Sequence, residues 1–222
     1  MNEKRTSAKA FHEAAGVEDW RVLFSGAHAF FGVSSFAQGA RFVATIAEVA
    51  EAAGHFPDVD LRPEGVTIRT CSGEYGALSG RDVELARGIS AAARGLQLES
   101  DPSQVQAIGI AVAQPEGSDV GPFWAAALGY RHLGEGEDAV DRHRRGPHIS
   151  FQRLRPPRSG RGRMHIDVSV PAEQAEARVA AALAAGGRLA DESHAPNWWT
   201  LASPENHGVD IAAWPDFDDD EG

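Results

Sequence analysis

Of the groups in this chain that can do chemistry, His55 has the most telling surroundings. It lies in Glu51-Ala-Ala-Gly-His-Phe-Pro57, where a helical pattern stops at Gly54 and Pro57 holds the following residues out of helix. The imidazole is therefore presented at a helix end, and a ring that titrates near neutrality can give or take a proton there. Asp82 is the second group of interest. It stands three residues after Ser79 and opens the apolar pattern Val83, Leu85, Ala86, Ile89, the Ser-x-x-Asp spacing of a helix N-terminal cap. A third feature is a run of eight arginines from Arg142 to Arg163 (142, 144, 145, 153, 155, 158, 161, 163) with no acid among them. Its plain reading is a solvated loop, and its sharper one a site for an anionic small molecule or an acidic partner surface. Trp124, Trp198 and Trp199 could line such a site for a flat ligand, although tryptophans more often fill cores. The single cysteine, Cys71, can form no internal disulfide, in keeping with a reducing compartment.

Elements must position these groups. From Trp20 the order reads β-β-α-β-β-α, with a short helix over Phe11 to Ala15 ahead of it, stopped by Gly16. Trp20 to Phe24 and Ala27 to Val33 read as strands about Ser25-Gly26, and Ser34 or Ser35 caps a helix with the stripe Phe36, Ala40, Val43, Ile46, Ala47, Ala50. A hairpin follows, in which Pro63-Glu64-Gly65 joins Val59 to Arg62 and Val66 to Thr70, with Gly65 supplying freedom at positive φ. Stacking the helices on one face of a four-stranded antiparallel sheet would bury both stripes. The fold class is α+β in two domains. Residues 1–97 form the first, 98–104 a polar proline-bearing linker, 105–214 the second, and 215–222 an acidic tail. In the second domain the pattern strand, helix, three strands occurs twice, the helices ending at Gly129 and at Gly186-Gly187.

The first domain resembles the pterin-4a-carbinolamine dehydratase family. The likeness lies in Glu51, in Gly54-His55-Phe56-Pro57 and in Gly76-Ala77-Leu78-Ser79-Gly80-Arg81-Asp82-Val83-Glu84-Leu85-Ala86. The family pattern has His-His-Pro, a third histidine at the end of the second hairpin strand, and Gly-Gly-Leu-Thr-x-Arg-Asp. Phe56 and Gly73 replace the second and third histidines here. The resemblance implies an α-β-β-α-β-β-α fold and a hydro-lyase acting on 4a-hydroxytetrahydrobiopterin, slowed by those losses. His55 would be its acid or base and Glu51 would orient the ring. Asp82 would contact the pterin's polar edge or simply complete its cap. Phe56, Pro57 and Tyr75 would line the ligand, without any required cofactor. The alternative is a non-catalytic binding or dimerisation module, with the function in the second domain as a lyase, an oxygenase or a ligand binder.

The second domain resembles the glyoxalase-like domains of the vicinal oxygen chelate superfamily, through Phe123-Trp124-x-x-x-Leu128-Gly129-Tyr130, Arg163-Met164-His165-Ile166-Asp167 and Trp199-x-Leu201-x-Ser203-Pro204-Glu205-Asn206. The implied fold is two βαβββ modules in tandem. Of the superfamily's four metal positions, His165 takes the third and Asp210 the fourth, both able to hold a divalent ion. The first falls near Ala107, beside Gln106, and the second near Gln152. Two able ligands out of four leave the expectation at no metal, with Trp124, Gln152, His165, Trp198 and Asp210 as ligand-contacting residues.

Composition limits the partners. A net charge of -11 opposes general affinity for nucleic acid or anionic membrane. No apolar run reaches the length of a membrane helix, and the first residues lack the apolar core of a signal peptide, so the expected place is the cytoplasm. The expected partner is a pterin-like small molecule, and from both resemblances a homodimer.

Overall fold

The computed structural model describes residues 5–73, 76–114, 117, 119–133, 138–153, 164–203 and 207–213, and it divides into two compact units between Gln106 and Ala107. Tyr75, the acidic tail and the arginines of 154–163 lie outside the described residues.

The first unit begins with β1 (Arg5–Thr6) and α1 (Ala8–His12), followed by β2 (Arg21–Leu23), β3 (Gly26–Gly32) and α2 (Phe36–Ala53). The hairpin β4 (Asp58–Arg62) and β5 (Gly65–Thr70) leads to β6 (Leu78–Ser79) and α3 (Gly80–Gly95). Four strands form one sheet in the order β2-β3-β5-β4, with each neighbouring pair antiparallel, and β1 pairs separately with β6. Ala27, Ala29, Phe31, Val66 and Ile68 face the helices, because strand residues two apart share a face. Against them α2 and α3 bury Phe42, Ile46, Leu85 and Ile89. The Phe31 and Phe42 rings meet edge to face, 5.3 Å between centroids. Trp20 is wholly buried and donates its indole N–H to Ser90 Oγ at 3.1 Å, which satisfies the one polar atom that its burial would otherwise strand.

Several local details differ from the sequence expectation. The first helix starts earlier, at Ala8, because Ser7 accepts from the Ala10 amide and caps it. The buried stripe of α2 is Gly39, Phe42, Ile46 and Ala50, while Phe36 is 56% exposed at its first turn. Gly65 is not at positive φ. It is glycine because the Phe30 ring lies over it, where a Cβ would collide with two ring carbons and with the Phe31 carbonyl oxygen. Residues 99–101 continue the first unit's sheet. The Gly32 amide donates to the Glu99 carbonyl, the Asp101 amide donates to the Phe30 carbonyl, both at 3.0 Å, and Ser100 Oγ donates to Asp19.

The second unit has β7 (Ala107–Gln114), α4 (Gly121–Leu128), β8 (Tyr130–Leu133), β9 (Asp138–Asp141) and β10 (His148–Arg153). These are followed by β11 (Met164–Ser169), α5 (Ala172–Ala184), β12 (Arg188–Asp191), β13 (Trp198–Ala202) and β14 (Gly208–Ala212). One eight-stranded sheet runs β12-β13-β14-β11-β7-β10-β9-β8, with β7 and β11 antiparallel at its centre and β10 and β14 each parallel to its central neighbour. Both helices lie on one face. Ala125 and Trp124 of α4 pack with Val112, Ile149 and Phe151, and Ala175 and Val179 of α5 with Leu201 and Ile211. Strand alternation then directs His165, Asp167, Thr200, Trp198 and Asp210 to the opposite face. Among the described residues no helix is long and apolar enough to cross a membrane.

Candidate active site

The first site is built where α2 ends and α3 begins. Gly54 takes the left-handed conformation (φ 58°) that closes α2, and its amide returns to Ala50 and Glu51. The chain thereby turns His55 inward, where it is 8% exposed, and leaves Phe56 62% exposed. Arg81, in the first turn of α3, donates Nη2 to the Gly54 carbonyl and ties the two helix ends together. Ser79 and Asp82 form a reciprocal capping box. The Ser79 side chain accepts from the start of α3, and the Asp82 carboxylate accepts from the Ser79 amide at 2.8 Å.

The cap is also the hub of the site. Asp82 is fully buried, and its Oδ1 accepts from Thr70 Oγ1 at 2.6 Å and lies 2.8 Å from His55 Nε2. Its Oδ2 accepts from the Ser72 hydroxyl in addition to the Ser79 amide. Burial pushes the carboxyl up, but the Ser72 and Thr70 hydroxyls, the His55 ring and the Ser79 amide together outweigh it and hold Asp82 below the ordinary carboxylate range. An ionised carboxylate only accepts, so the His55 nitrogen facing it, Nε2, carries hydrogen. Nδ1 has no hydrogen-bond partner among the described residues and is left as the proton-accepting atom.

The sequence reading names His55 and Asp82 for separate roles and gives the orienting role to Glu51, and the structure brings the first two into contact. The ring is oriented by Asp82 and Thr70, whereas Glu51 is exposed on the last turn of α2. Pro57 is half-buried beside Phe56. Thr70 and Ser72 were missed. Their signal was the strand end opposite the cap, where alternate residues of β5 and the loop after it face α3. The position of the absent third histidine is closed to a side chain, since a Cβ on Gly73 would lie 2.8 Å from Ala77 Cβ.

In the second unit, His165 Nε2 lies 3.1 Å from Asp167 Oδ1 and 3.4 Å from Asp210 Oδ2. Hydrogen bonding to Asp167 raises the His165 pKa, with burial opposing. Burial raises that of Asp210, with the Thr200 hydroxyl and His165 opposing. Trp198 shares this face and stacks on His194, 4.0 Å between ring centroids. Gln152 is exposed on β10, two strands from β11. Trp124 packs on the helix side, so it does not join the group around His165. Ala107, which was assigned the first metal position, faces Ser169, four residues along β7 from Ala111, the residue opposite His165.

These features define a two-domain α+β protein whose first unit presents a carboxylate-held histidine at a helix junction. The family profile described as pterin 4 alpha carbinolamine dehydratase matches residues 3–92, and that described as a glyoxalase-like domain matches residues 109–212. A relative from Chloroflexus aurantiacus is 31% identical over 84 residues, covering 38% of this chain and 90% of the relative. One from Nostoc punctiforme is 30% identical over 90 residues, or 40% of this chain and 97% of the relative. A third, from Nocardia farcinica, is 45% identical over 60 residues, 27% of this chain and 63% of the relative. All three are provisionally named pterin-4-alpha-carbinolamine dehydratase. At the highest identities the chain spans 63% of the length of the relatives it matches. The chain belongs to the pterin-4a-carbinolamine dehydratase family through its first unit, and its second unit is similar to glyoxalase-like domains.

Proposed function

We propose that the first unit is a hydro-lyase that dehydrates 4a-hydroxytetrahydropterins, with turnover reduced by the loss of two histidines, and that the second unit binds a small molecule of its own. In that reaction the C4a–O bond breaks, the N5–H proton is lost, C4a=N5 forms, and the departing hydroxyl takes up a proton to leave as water. His55 Nδ1 is the group that removes the N5 proton, and the resulting imidazolium can return it to the hydroxyl. Asp82 holds the ring through Nε2–H and fixes which nitrogen meets the substrate. The observation that carries this reading is the disposition of His55 and Phe56: the ring is held by a buried carboxylate, and the neighbouring phenyl group is exposed to solvent. An exposed aromatic face next to the base also suits a flat bicyclic substrate.

General acid–base help contributes about 10²–10⁴-fold per group. Stopped-flow decay of a 4a-hydroxytetrahydropterin should therefore be faster with the protein than without it, and His55→Ala should remove most of the gain. Equal decay with and without protein, or with parent and His55→Ala, would overturn the proposal and leave a binding module.

A further inference from the structure

Thr70 is assigned nothing by the family pattern, and at 1% exposure it lies too deep to touch a substrate. Its hydroxyl nonetheless stands 2.6 Å from Asp82 Oδ1 and 3.1 Å from His55 Nε2, closing a triangle whose third side is the 2.8 Å contact between Asp82 and His55. Hydrogen counting settles what each corner does. An ionised carboxylate only accepts, so the one hydroxyl hydrogen of Thr70 goes to Asp82. The threonine oxygen then has only lone pairs to offer the ring, and the hydrogen on Nε2 is shared between two acceptors. Ser72 stands farther from the ring, at 3.4 Å, and gives its own hydrogen to Asp82 Oδ2.

A single acceptor sets a distance but lets the ring turn about the line from Nε2 to Oδ1, and Nδ1 swings with it. A second acceptor off that line removes the freedom. The two acceptors also come from different elements, Asp82 from the first turn of α3 and Thr70 from the last residue of β5. Thr70 is itself held firmly. Its backbone pairs with Ala27 in the ladder of β3 and β5, and the turn before β3 closes on it so tightly that a Cβ on Gly26 would lie 2.5 Å from the Thr70 carbonyl oxygen. Its β-branched side chain is stiff about χ1.

We propose that Thr70 is a positioning residue, whose hydroxyl fixes the plane of the His55 ring and so the direction in which Nδ1 meets the substrate. The consequence for rate rests on the dehydratase reading, whereas the restraint on the ring does not. Misplacing a reacting group by about 1 Å can cost about 10²-fold in rate, so a ring loosened by part of that should lose about tenfold.

Thr70→Val keeps the shape and removes the hydroxyl, and Thr70→Ser keeps the hydroxyl. In stopped-flow decay of a 4a-hydroxytetrahydropterin, Thr70→Val should lower kcat about tenfold with KM within about twofold of the parent, and Thr70→Ser should recover most of the loss. In the free protein, ¹⁵N relaxation should show a more mobile His55 ring in Thr70→Val, still carrying hydrogen on Nε2 because Asp82 remains beside it, and a parent-like ring in Thr70→Ser. Full kcat in Thr70→Val, a ring as ordered as the parent's, or a loosened ring in Thr70→Ser would each overturn the assignment. The relaxation measurement needs no substrate. A ring that loosens in a protein that never speeds the dehydration would therefore remove the dehydratase reading alone, and undiminished turnover in Thr70→Val would remove this inference alone.

Discussion

Replacing Asp82 by asparagine removes a charge from the hub of the first site while keeping its shape, and the surrounding donors dictate how the new side chain must sit. One carboxylate oxygen faces the Ser79 amide at 2.8 Å, a backbone donor that cannot turn round. The asparagine oxygen must stay there, which places its NH₂ where Oδ1 now contacts Thr70 and His55. Thr70 can rotate its hydroxyl to accept. His55 can accept only by giving up the hydrogen on Nε2, so the proton moves to Nδ1 and the free nitrogen stops being a base. Turnover should fall by about 10²–10⁴, the worth of one general base. Stability should fall by about 2–4 kcal/mol, as hydrogen bonds to a charged group become neutral ones. Stopped-flow kinetics report the first effect, urea unfolding the second, and ¹⁵N chemical shifts of the His55 ring the tautomer. A variant that keeps its rate within twofold, or whose ring still carries hydrogen on Nε2, would refute the reasoning.

Two further outcomes follow from the same unit. His28 lies on the sheet face away from the helices, 7% exposed, opposite Arg21 and Arg69, with Asp58 beyond Arg69 and its Nε2 2.8 Å from Ser25 Oγ. Burial first and Arg69 second push it down to about 3, Asp58 opposing, from an ordinary value near 6.5. The unfolded chain therefore takes up a proton that the fold excludes, and stability drops as pH falls from 6.5 toward 3, by at most about 1.4 kcal/mol per pH unit for this one group. Urea unfolding of the parent and His28→Gln across that window should give a stability difference that changes with pH, and a constant difference would count against it. Gly65→Ala should destabilise by about 1–3 kcal/mol, because the added methyl group must displace the Phe30 ring or the Phe31 backbone. Chemical unfolding measures this, and a neutral change would mean that the ring gives way freely.

What could be read in the sequence was what neighbouring residues determine. Gly54 as a helix stop, Ser79 with Asp82 as a cap, and Gly129 closing α4 are each set by contacts within a turn, and each was legible. The first helix differs for a local reason too: the Ser7 side chain caps it, so it runs Ala8–His12 and ends before Gly16. Other features depend on register between distant strands. Thr70 meets Asp82 because β5 ends beside α3, and Asp167 meets Asp210 because β11 and β14 run parallel in one alignment. Alternation alone shows that His165 and Asp167 share a face, but not which strand lies alongside. Gly65 shows the same limit, where a turn-like composition suggested backbone freedom and the reason proved to be a ring from another strand.

The pairing of residues 99–101 with β3 bears on any attempt to cut the protein in two. A first half severed after residue 97, where the composition turns polar, would lose the strip that satisfies the Gly32 amide and the Phe30 carbonyl, and a raw sheet edge of that kind invites self-association. Severed after residue 106 instead, the fragment would carry its own selvedge.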